Sequence, residues 1–150
     1  MKAKIIFLLI ATSFLVACNR GSQKSNNEQV KNEITQNTNL KLHIYYFHAT
    51  HRCPTCNSIE ANIKKILESN FENEIEQGII NFTVLNVEDA ENKNLAEKYQ
   101  ATGSALHLVD IENGKENDND LTNYAFSYSR NQPEVFLQGM KDTINYYINN

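Results

Sequence analysis

The sequence Cys53-Pro54-Thr55-Cys56 lies where a predicted strand, residues 40–48, gives way to a predicted helix. Proline suits the first position of a helix because its φ is already helical and its missing N–H would be unpaired there. Cys53 is therefore predicted at the N-cap, where it faces free amide groups and the positive end of the helix dipole. This position favours the thiolate, which is the nucleophilic form of cysteine. Cys56 lies one turn later, close enough to form a disulfide and more sheltered from solvent, so the pair is predicted to carry redox chemistry.

The N-terminal residues predict export. Lys2 and Lys4 precede an apolar run over residues 5–16, which is too short to span a membrane and has the pattern of a signal peptide. Residues 15–18 read Leu-Val-Ala-Cys and resemble the lipobox of bacterial lipoproteins. The resemblance implies a signal peptide over residues 1–17 and a lipid on Cys18 that anchors the chain to a membrane. An ordinary signal peptide with an incidental cysteine is the alternative.

The residues after the lipid site predict a tether followed by one domain. Residues 18–39 are rich in Asn, Gln, Ser and Lys, and their only large apolar residues are Val30 and Ile34. Such a segment buries too little apolar surface to fold alone, so it is predicted to be a flexible tether. The remaining residues, 40–150, are enough for one hydrophobic core.

The charge balance argues against binding to nucleic acid. The chain has 150 residues, with 14 Lys and Arg against 18 Asp and Glu, which gives a net charge of −4. Loss of Lys2 and Lys4 with the signal peptide changes this to −4 − 2 = −6. A mildly acidic chain without a basic block has little attraction for a phosphate backbone.

The cysteine count favours a chemical role for the pair. The chain has three cysteines, and once Cys18 carries lipid only Cys53 and Cys56 remain. A disulfide between them closes a very short loop, which constrains the unfolded chain little. An exported compartment permits disulfides, so we expect this one to serve redox chemistry rather than stability.

Apolar residues recur at the spacings of alternating strands and helices. After Pro54, apolar residues from Ile59 to Phe71 follow at intervals of three and four residues, which predicts a helix with one buried face. A strand on each side of that helix makes a βαβ unit with parallel strands. Asn113-Gly114 predicts a hairpin turn, and Pro133 marks the start of a last helix. The other predicted elements are strands over residues 40–48, 79–87 and 106–111 and a short helix over residues 89–99.

Two segments leave their structure open. Residues 115–120 are too polar to predict a strand from their pattern, and residues 121–130 fit neither periodicity clearly. The order β-α-β-α-β-(β)-α is that of a thioredoxin-like fold. The predicted fold class is therefore α/β, with a mixed sheet flanked by helices.

Residues 45–56, Tyr-Tyr-Phe-His-Ala-Thr-His-Arg-Cys-Pro-Thr-Cys, resemble the active-site segment of a group of small bacterial thioredoxin-like proteins. The group is catalogued as the nitrophenyl compound nitroreductase subunit ArsF family. The resemblance extends over the domain from about residue 40 onward and implies that Cys53 and Cys56 are the active pair. The family name implies nitroaromatic reduction. The domain has no recognisable flavin site or dinucleotide fingerprint, so it could at most relay electrons, and no cofactor is expected. Further matches lie at residues 95–99, 120–123, 125–126 and 133–136.

Three positions depart from ordinary thioredoxins. Arg52 stands where they carry a tryptophan, and residues 40–47 lack their buried acid. Gly103-Ser104-Ala105, the loop predicted to face the substrate, stands where they read Gly-x-Pro with a cis proline. A cis peptide without proline costs about 3 kcal/mol, so Ala105 is predicted to be trans. The change argues against general reduction of protein disulfides.

The predicted chemistry is thiol–disulfide exchange. The Cys53 thiolate attacks a disulfide or other oxidised group, and Cys56 resolves the mixed disulfide. Arg52, and His51 when protonated, are predicted to lower the pKa of Cys53. The expected partners are a protein or small-molecule disulfide and an upstream thiol electron donor. The expected location is the bacterial cell envelope, with the domain facing the periplasm or the exterior.

Two other functions remain open from the sequence. His48, His51, Cys53 and Cys56 are clustered, and thiolates with imidazoles suit Cu(I) or Zn(II), so metal delivery is the first alternative. His51 is the better candidate ligand, because a histidine that ends a buried strand, as His48 does, can point into the core. The second alternative is a lipid-anchored adaptor whose cysteines have no redox role.

Overall fold

The structure, a computed structural model, describes residues 39–150. The predicted signal peptide, the lipid site Cys18 and the tether up to residue 38 lie outside the described residues. Among residues 39–150, no helix combines the length and the apolar character needed to cross a bilayer. The elements in chain order are β1 (Leu42–His48), α1 (Pro54–Asn70), α2 (Glu72–Glu76), β2 (Ile80–Asn86), a 3₁₀ turn (Ala90–Asn92), α3 (Lys93–Lys98), β3 (Ala105–Glu112), β4 (Lys115–Asp120), α4 (Thr122–Tyr128) and α5 (Pro133–Asn149).

The four strands form one mixed sheet in the order β2-β1-β3-β4. β1 and β2 run parallel, with Leu42 opposite Ile80, and α1 and α2 lie between them in the chain. β3 is antiparallel to both β1 and β4. This connectivity confirms the predicted α/β class, a thioredoxin-like mixed sheet flanked by helices.

β1 lies between β2 and β3 in the sheet, and both of its faces are buried. Leu42, Ile44 and Tyr46 are fully buried in a core that they share with residues of α1 and α5. Phe47 points to the opposite face and packs there against Tyr99 in a smaller cluster. Burial on both sides explains why the predicted strand changes from an alternating to a continuous apolar pattern.

β4 and α4 are the elements that the sequence left open. β4 lies at the edge of the sheet, where pairing with β3 holds it while most of its polar side chains stay exposed. The turn before it has positive φ at Asn113 and Gly114, as a two-residue hairpin requires. α4 begins where the carboxylate of Asp120 accepts a hydrogen bond from the backbone N–H of Thr122 at 2.8 Å.

The predicted helix over residues 89–99 is present in two parts. Its first residues form the 3₁₀ turn, and α3 begins at Lys93. The side chain of Asn92 donates a hydrogen bond to the carbonyl of Asn86 at 2.9 Å, which ties the turn to the end of β2.

His43 on β1 is the histidine whose titration the fold perturbs most clearly. Its ring stacks on Tyr45 with 3.8 Å between centroids, and Nε2 lies 2.9 Å from the hydroxyl of Thr83. Burial lowers the pKa of His43 to about 4; Glu116 opposes this shift to a smaller extent, and Lys98 adds to it. The folded protein therefore holds this ring neutral.

We expect His43 to make the free energy of unfolding depend on pH between about pH 6.5 and pH 4. The unfolded chain binds the proton at its ordinary pKa of about 6.5, so it gains protons first as the pH falls. The contribution of His43 is complete above pH 6.5 and is lost towards pH 4, by about 1–2 kcal/mol after allowance for partial exposure. Denaturant unfolding of the wild type and His43→Gln over this range measures the difference. His51→Gln, at an exposed histidine, is the control. Parallel pH curves for the wild type and His43→Gln would contradict the prediction.

Candidate functional site

A disulfide joins Cys53 and Cys56 at the start of α1, with 5.1 Å between their Cα atoms. Cys53 is the N-cap residue, as predicted, with φ −75° and ψ 161°, and Pro54 follows at the first helical position. The backbone N–H of Cys56 donates a hydrogen bond to the sulfur of Cys53 at 3.1 Å. Cys53 is exposed, whereas Cys56 is only 6% exposed. An attacking group from solution therefore has access to Cys53 first.

Tyr46 connects the central strand to this turn of helix. Its hydroxyl donates a hydrogen bond to the carbonyl oxygen of Cys56 at 2.7 Å, and the residue is fully buried. Burial raises the pKa of Tyr46, while contacts with Arg52 and Ser104 partly offset the rise. The phenol therefore keeps its proton and acts as a donor to the helix.

Arg52, the residue before Cys53, contacts both Tyr46 and Glu60. Its guanidinium lies over the ring of Tyr46, 5.5 Å from the centroid, and Nη2 approaches the carboxylate of Glu60 to 2.5 Å. The same carboxylate pairs with Lys64 at 2.6 Å. Burial acts to raise the pKa of Glu60, but interactions with Lys64 and Arg52 outweigh it and hold the pKa below its usual value. Burial acts to lower the pKa of Arg52, whereas Tyr46 and Glu60 raise it above its usual value.

The sequence analysis missed Glu60, although a signal for it exists. Glu60 lies four residues after Cys56 and four before Lys64, so the three share one row along α1. The spacing to Lys64 indicates a helical ion pair, but the contact with Arg52 depends on how the preceding loop folds. Arg52 shares the single carboxylate of Glu60 with Lys64. Its role in tuning the pKa of Cys53 stays a prediction.

The loop Gly103-Ser104-Ala105 meets the disulfide through one side chain. The hydroxyl of Ser104 donates a hydrogen bond to the sulfur of Cys56 at 3.3 Å. Every peptide bond in residues 39–150 is trans, which confirms the prediction for Ala105. The loop therefore lies beside the pair, and its role towards a substrate stays a prediction.

The two histidines near the pair occupy different environments. His51 is exposed. His48 is half-buried, with Nδ1 2.9 Å from the carbonyl oxygen of Ala49 and its ring 6.3 Å from that of Tyr46. In the part of the chain that the structure describes, no three or more His, Cys, Asp or Glu side chains are placed to hold a metal ion. The alternative ligand set of His48, His51, Cys53 and Cys56 is thus not assembled here.

Fold and site together define a thioredoxin-like protein with a CxxC disulfide at the start of the helix that follows the central strand. No protein-family model and no curated protein matches the chain. The fold class rests on the strand order and connectivity of this chain rather than on its likeness to solved structures.

Among solved structures, the chain is similar to thioredoxins. A thioredoxin from Fasciola hepatica is 21% identical, with 74% of this chain and 86% of that chain covered and a TM-score of 0.45. A thioredoxin from Thermus thermophilus is 20% identical, with 69% and 74% covered and a TM-score of 0.45. A malarial protein is 16% identical, with 58% and 93% covered and a TM-score of 0.38.

We expect Glu60→Gln to lower the free energy of unfolding by about 1–2 kcal/mol at pH 7, between the values typical of exposed and of buried ion pairs. The folded pKa of Glu60 is depressed, so its contribution is complete above the unfolded pKa of about 4.3 and is lost as the pH falls through the folded value. Denaturant unfolding at pH 7 and pH 3 measures both effects. Glu68→Gln, on the exposed side of α1, is the matched control. A loss that persists unchanged at pH 3 would contradict an electrostatic role for Glu60.

Proposed function

We propose that the protein is an exported, membrane-tethered thiol–disulfide redox protein that uses Cys53 and Cys56 as a two-electron couple. The observation that carries this proposal is the asymmetry of the pair: an exposed sulfur at a helix N-cap is bonded to a sheltered one. An N-cap position lowers the pKa of a thiol, and a sheltered partner one turn away is placed to resolve a mixed disulfide. A disulfide of purely structural purpose has no need of either feature.

In the proposed reaction, the partner disulfide accepts the two electrons that the cysteine pair gives up. In the reduced protein, the Cys53 thiolate attacks a partner disulfide, forming a mixed disulfide and releasing one partner thiolate. Cys56, once deprotonated, attacks the sulfur of Cys53 and releases the second partner thiolate. Two electrons pass to the partner, whose two thiolates take up protons from solvent, and the Cys53–Cys56 disulfide remains. An upstream dithiol restores the reduced pair by the reverse sequence.

The proposed location rests on the sequence of residues 1–18. The apolar run and the lipobox-like residues support export and a lipid on Cys18, which would hold the domain at a membrane of the bacterial cell envelope. There the domain would face the periplasm or the exterior, where disulfide chemistry is permitted.

We also propose membership of the ArsF family named above, on the residues around the pair that resemble it. A link to nitroaromatic reduction would make this chain an electron relay to a separate flavin or nicotinamide enzyme. The described domain supplies the dithiol step alone.

The reduction potential of the pair is the first test of the redox function. We expect full-length protein in detergent, equilibrated in metal-free glutathione buffers, to give a two-electron potential between about −270 and −120 mV with fast exchange. Mass spectrometry after alkylation measures the oxidised fraction. In the single-cysteine variants, we expect Cys56→Ser to alkylate at least tenfold faster than Cys53→Ser, because Cys53 is exposed and at the N-cap. A pair that exchanges slowly or resists oxidation would overturn the redox function, and Cu(I) titration would then test metal delivery.

Lipid attachment has its own test in a bacterial host. We expect the wild type to incorporate a radiolabelled fatty acid and Cys18→Ala to incorporate none. The variant Cys53→Ser with Cys56→Ser should keep the label, since it retains Cys18. A label that survives the loss of Cys18, or is absent from the wild type, would contradict the tether.

A further inference from the structure

The sulfur of Cys56 receives a hydrogen bond from a side chain that is not on its own helix. The donor is the hydroxyl of Ser104, at 3.3 Å. Within residues 39–150, no other side chain hydrogen-bonds to either sulfur. Two polar groups near this sulfur are already engaged: the N–H of Cys56 bonds to the sulfur of Cys53, and the phenol of Tyr46 on β1 bonds to the Cys56 carbonyl. Ser104 is therefore the group placed to respond when charge develops on Cys56.

Because Cys56 is buried, a hydrogen-bond donor near its sulfur has a large effect on the thiolate. A thiolate at a position only 6% exposed loses most of its hydration, which disfavours the charged form. β1, which packs against α1, contains no carboxylate that could exchange a proton with Cys56. A hydroxyl donor bonds more strongly to a charged sulfur than to a neutral one, so its contribution grows as the disulfide opens.

We propose that Ser104 is a positioning residue that stabilises the Cys56 thiolate as the leaving group of the disulfide. This inference rests on the redox function proposed above. An external thiolate attacks the sulfur of Cys53, and a new sulfur–sulfur bond forms as the Cys53–Cys56 bond breaks. The electron pair of the broken bond leaves with the sulfur of Cys56, which becomes a thiolate and accepts the hydrogen bond of Ser104. A leaving thiolate that is better stabilised leaves faster.

The fold holds Ser104 in place for this role. β3 begins at the next residue, Ala105, which is opposite Phe47 of the central strand. The N–H of Leu106 donates to the hydroxyl of Thr122 at 3.0 Å, and its carbonyl accepts the N–H of Leu121 at 2.8 Å. The loop is thereby fixed to the sheet and to the start of α4, so the hydroxyl is presented by a well-anchored backbone.

Three substitutions at Ser104 distinguish the effect of losing the hydroxyl from the effect of changing the shape of the side chain. Ser104→Ala and Ser104→Val both remove the donor, whereas Ser104→Thr keeps it in the shape of valine. Thr102→Ala changes an exposed hydroxyl in the same loop and is the control for nonspecific effects. Thermal unfolding monitors the fold of each variant, and the valine variant serves if the alanine variant does not fold.

The first readout is opening of the disulfide in the full-length protein. Dithiothreitol is the probe for rate, and glutathione buffers are the probe for equilibrium. We expect Ser104→Ala and Ser104→Val to open about tenfold more slowly and to shift the equilibrium about tenfold towards the disulfide, which is about 30 mV for two electrons. Ser104→Thr and Thr102→Ala should stay within about twofold of the wild type.

The second readout is the pKa of Cys56 in a Cys53→Ser background, followed by thiolate absorbance. We expect removal of the Ser104 hydroxyl to raise this pKa by about one unit and threonine to restore it. If the wild type exchanges but all Ser104 variants match it in rate, equilibrium and pKa, the inference is overturned and the redox function stands. If the wild type does not exchange, the redox function fails, and an unchanged pKa of Cys56 overturns the inference separately.

Discussion

The hydrogen bond from the phenol of Tyr46 to the carbonyl of Cys56 is the interaction on which the site depends. Tyr46 is fully buried on the central strand, so its hydroxyl must find a partner inside the protein. The partner that it finds is in the first turn of α1, and this fixes the helix start against β1. Because Cys53 caps that turn, the same bond determines where both sulfurs lie. A single contact between β1 and α1 therefore links the packing of the sheet to the position of the cysteine pair.

Charged side chains cluster around this contact. Arg52 lies over the ring of Tyr46 and pairs with Glu60, and Lys64 completes the group from the next turn of α1. The cation that precedes the first cysteine is therefore paired with a carboxylate of α1. The hydrogen bonds that reach the sulfurs come instead from neutral groups: a backbone N–H for Cys53 and a hydroxyl for Cys56.

The sequence predicts the parts of this arrangement that depend on local chemistry. A continuous apolar strand, a proline after a cysteine and apolar intervals of three and four residues are enough to predict β1, the N-cap and α1. β4 escapes prediction because an edge strand of polar residues is held by backbone pairing, which leaves no apolar pattern. The contact of Ser104 with Cys56 escapes prediction for a different reason. The two residues are 48 positions apart in the chain, and side-chain type alone does not reveal which distant atom a hydroxyl will meet. The contact of Glu60 with Arg52 escapes prediction because it depends on how the loop before α1 folds.

The hydrogen-bond donors to the two sulfurs belong to different parts of the chain. The donor to Cys53 belongs to the backbone of α1, so no substitution removes it without changing the helix start. The donor to Cys56 is a single side chain in a loop outside the helix. The stability of the Cys56 thiolate can thus change independently of the exposure and the N-cap position of Cys53. If Ser104 acts as proposed, the balance between the oxidised and reduced forms can be adjusted at this one loop position without a change at Cys53.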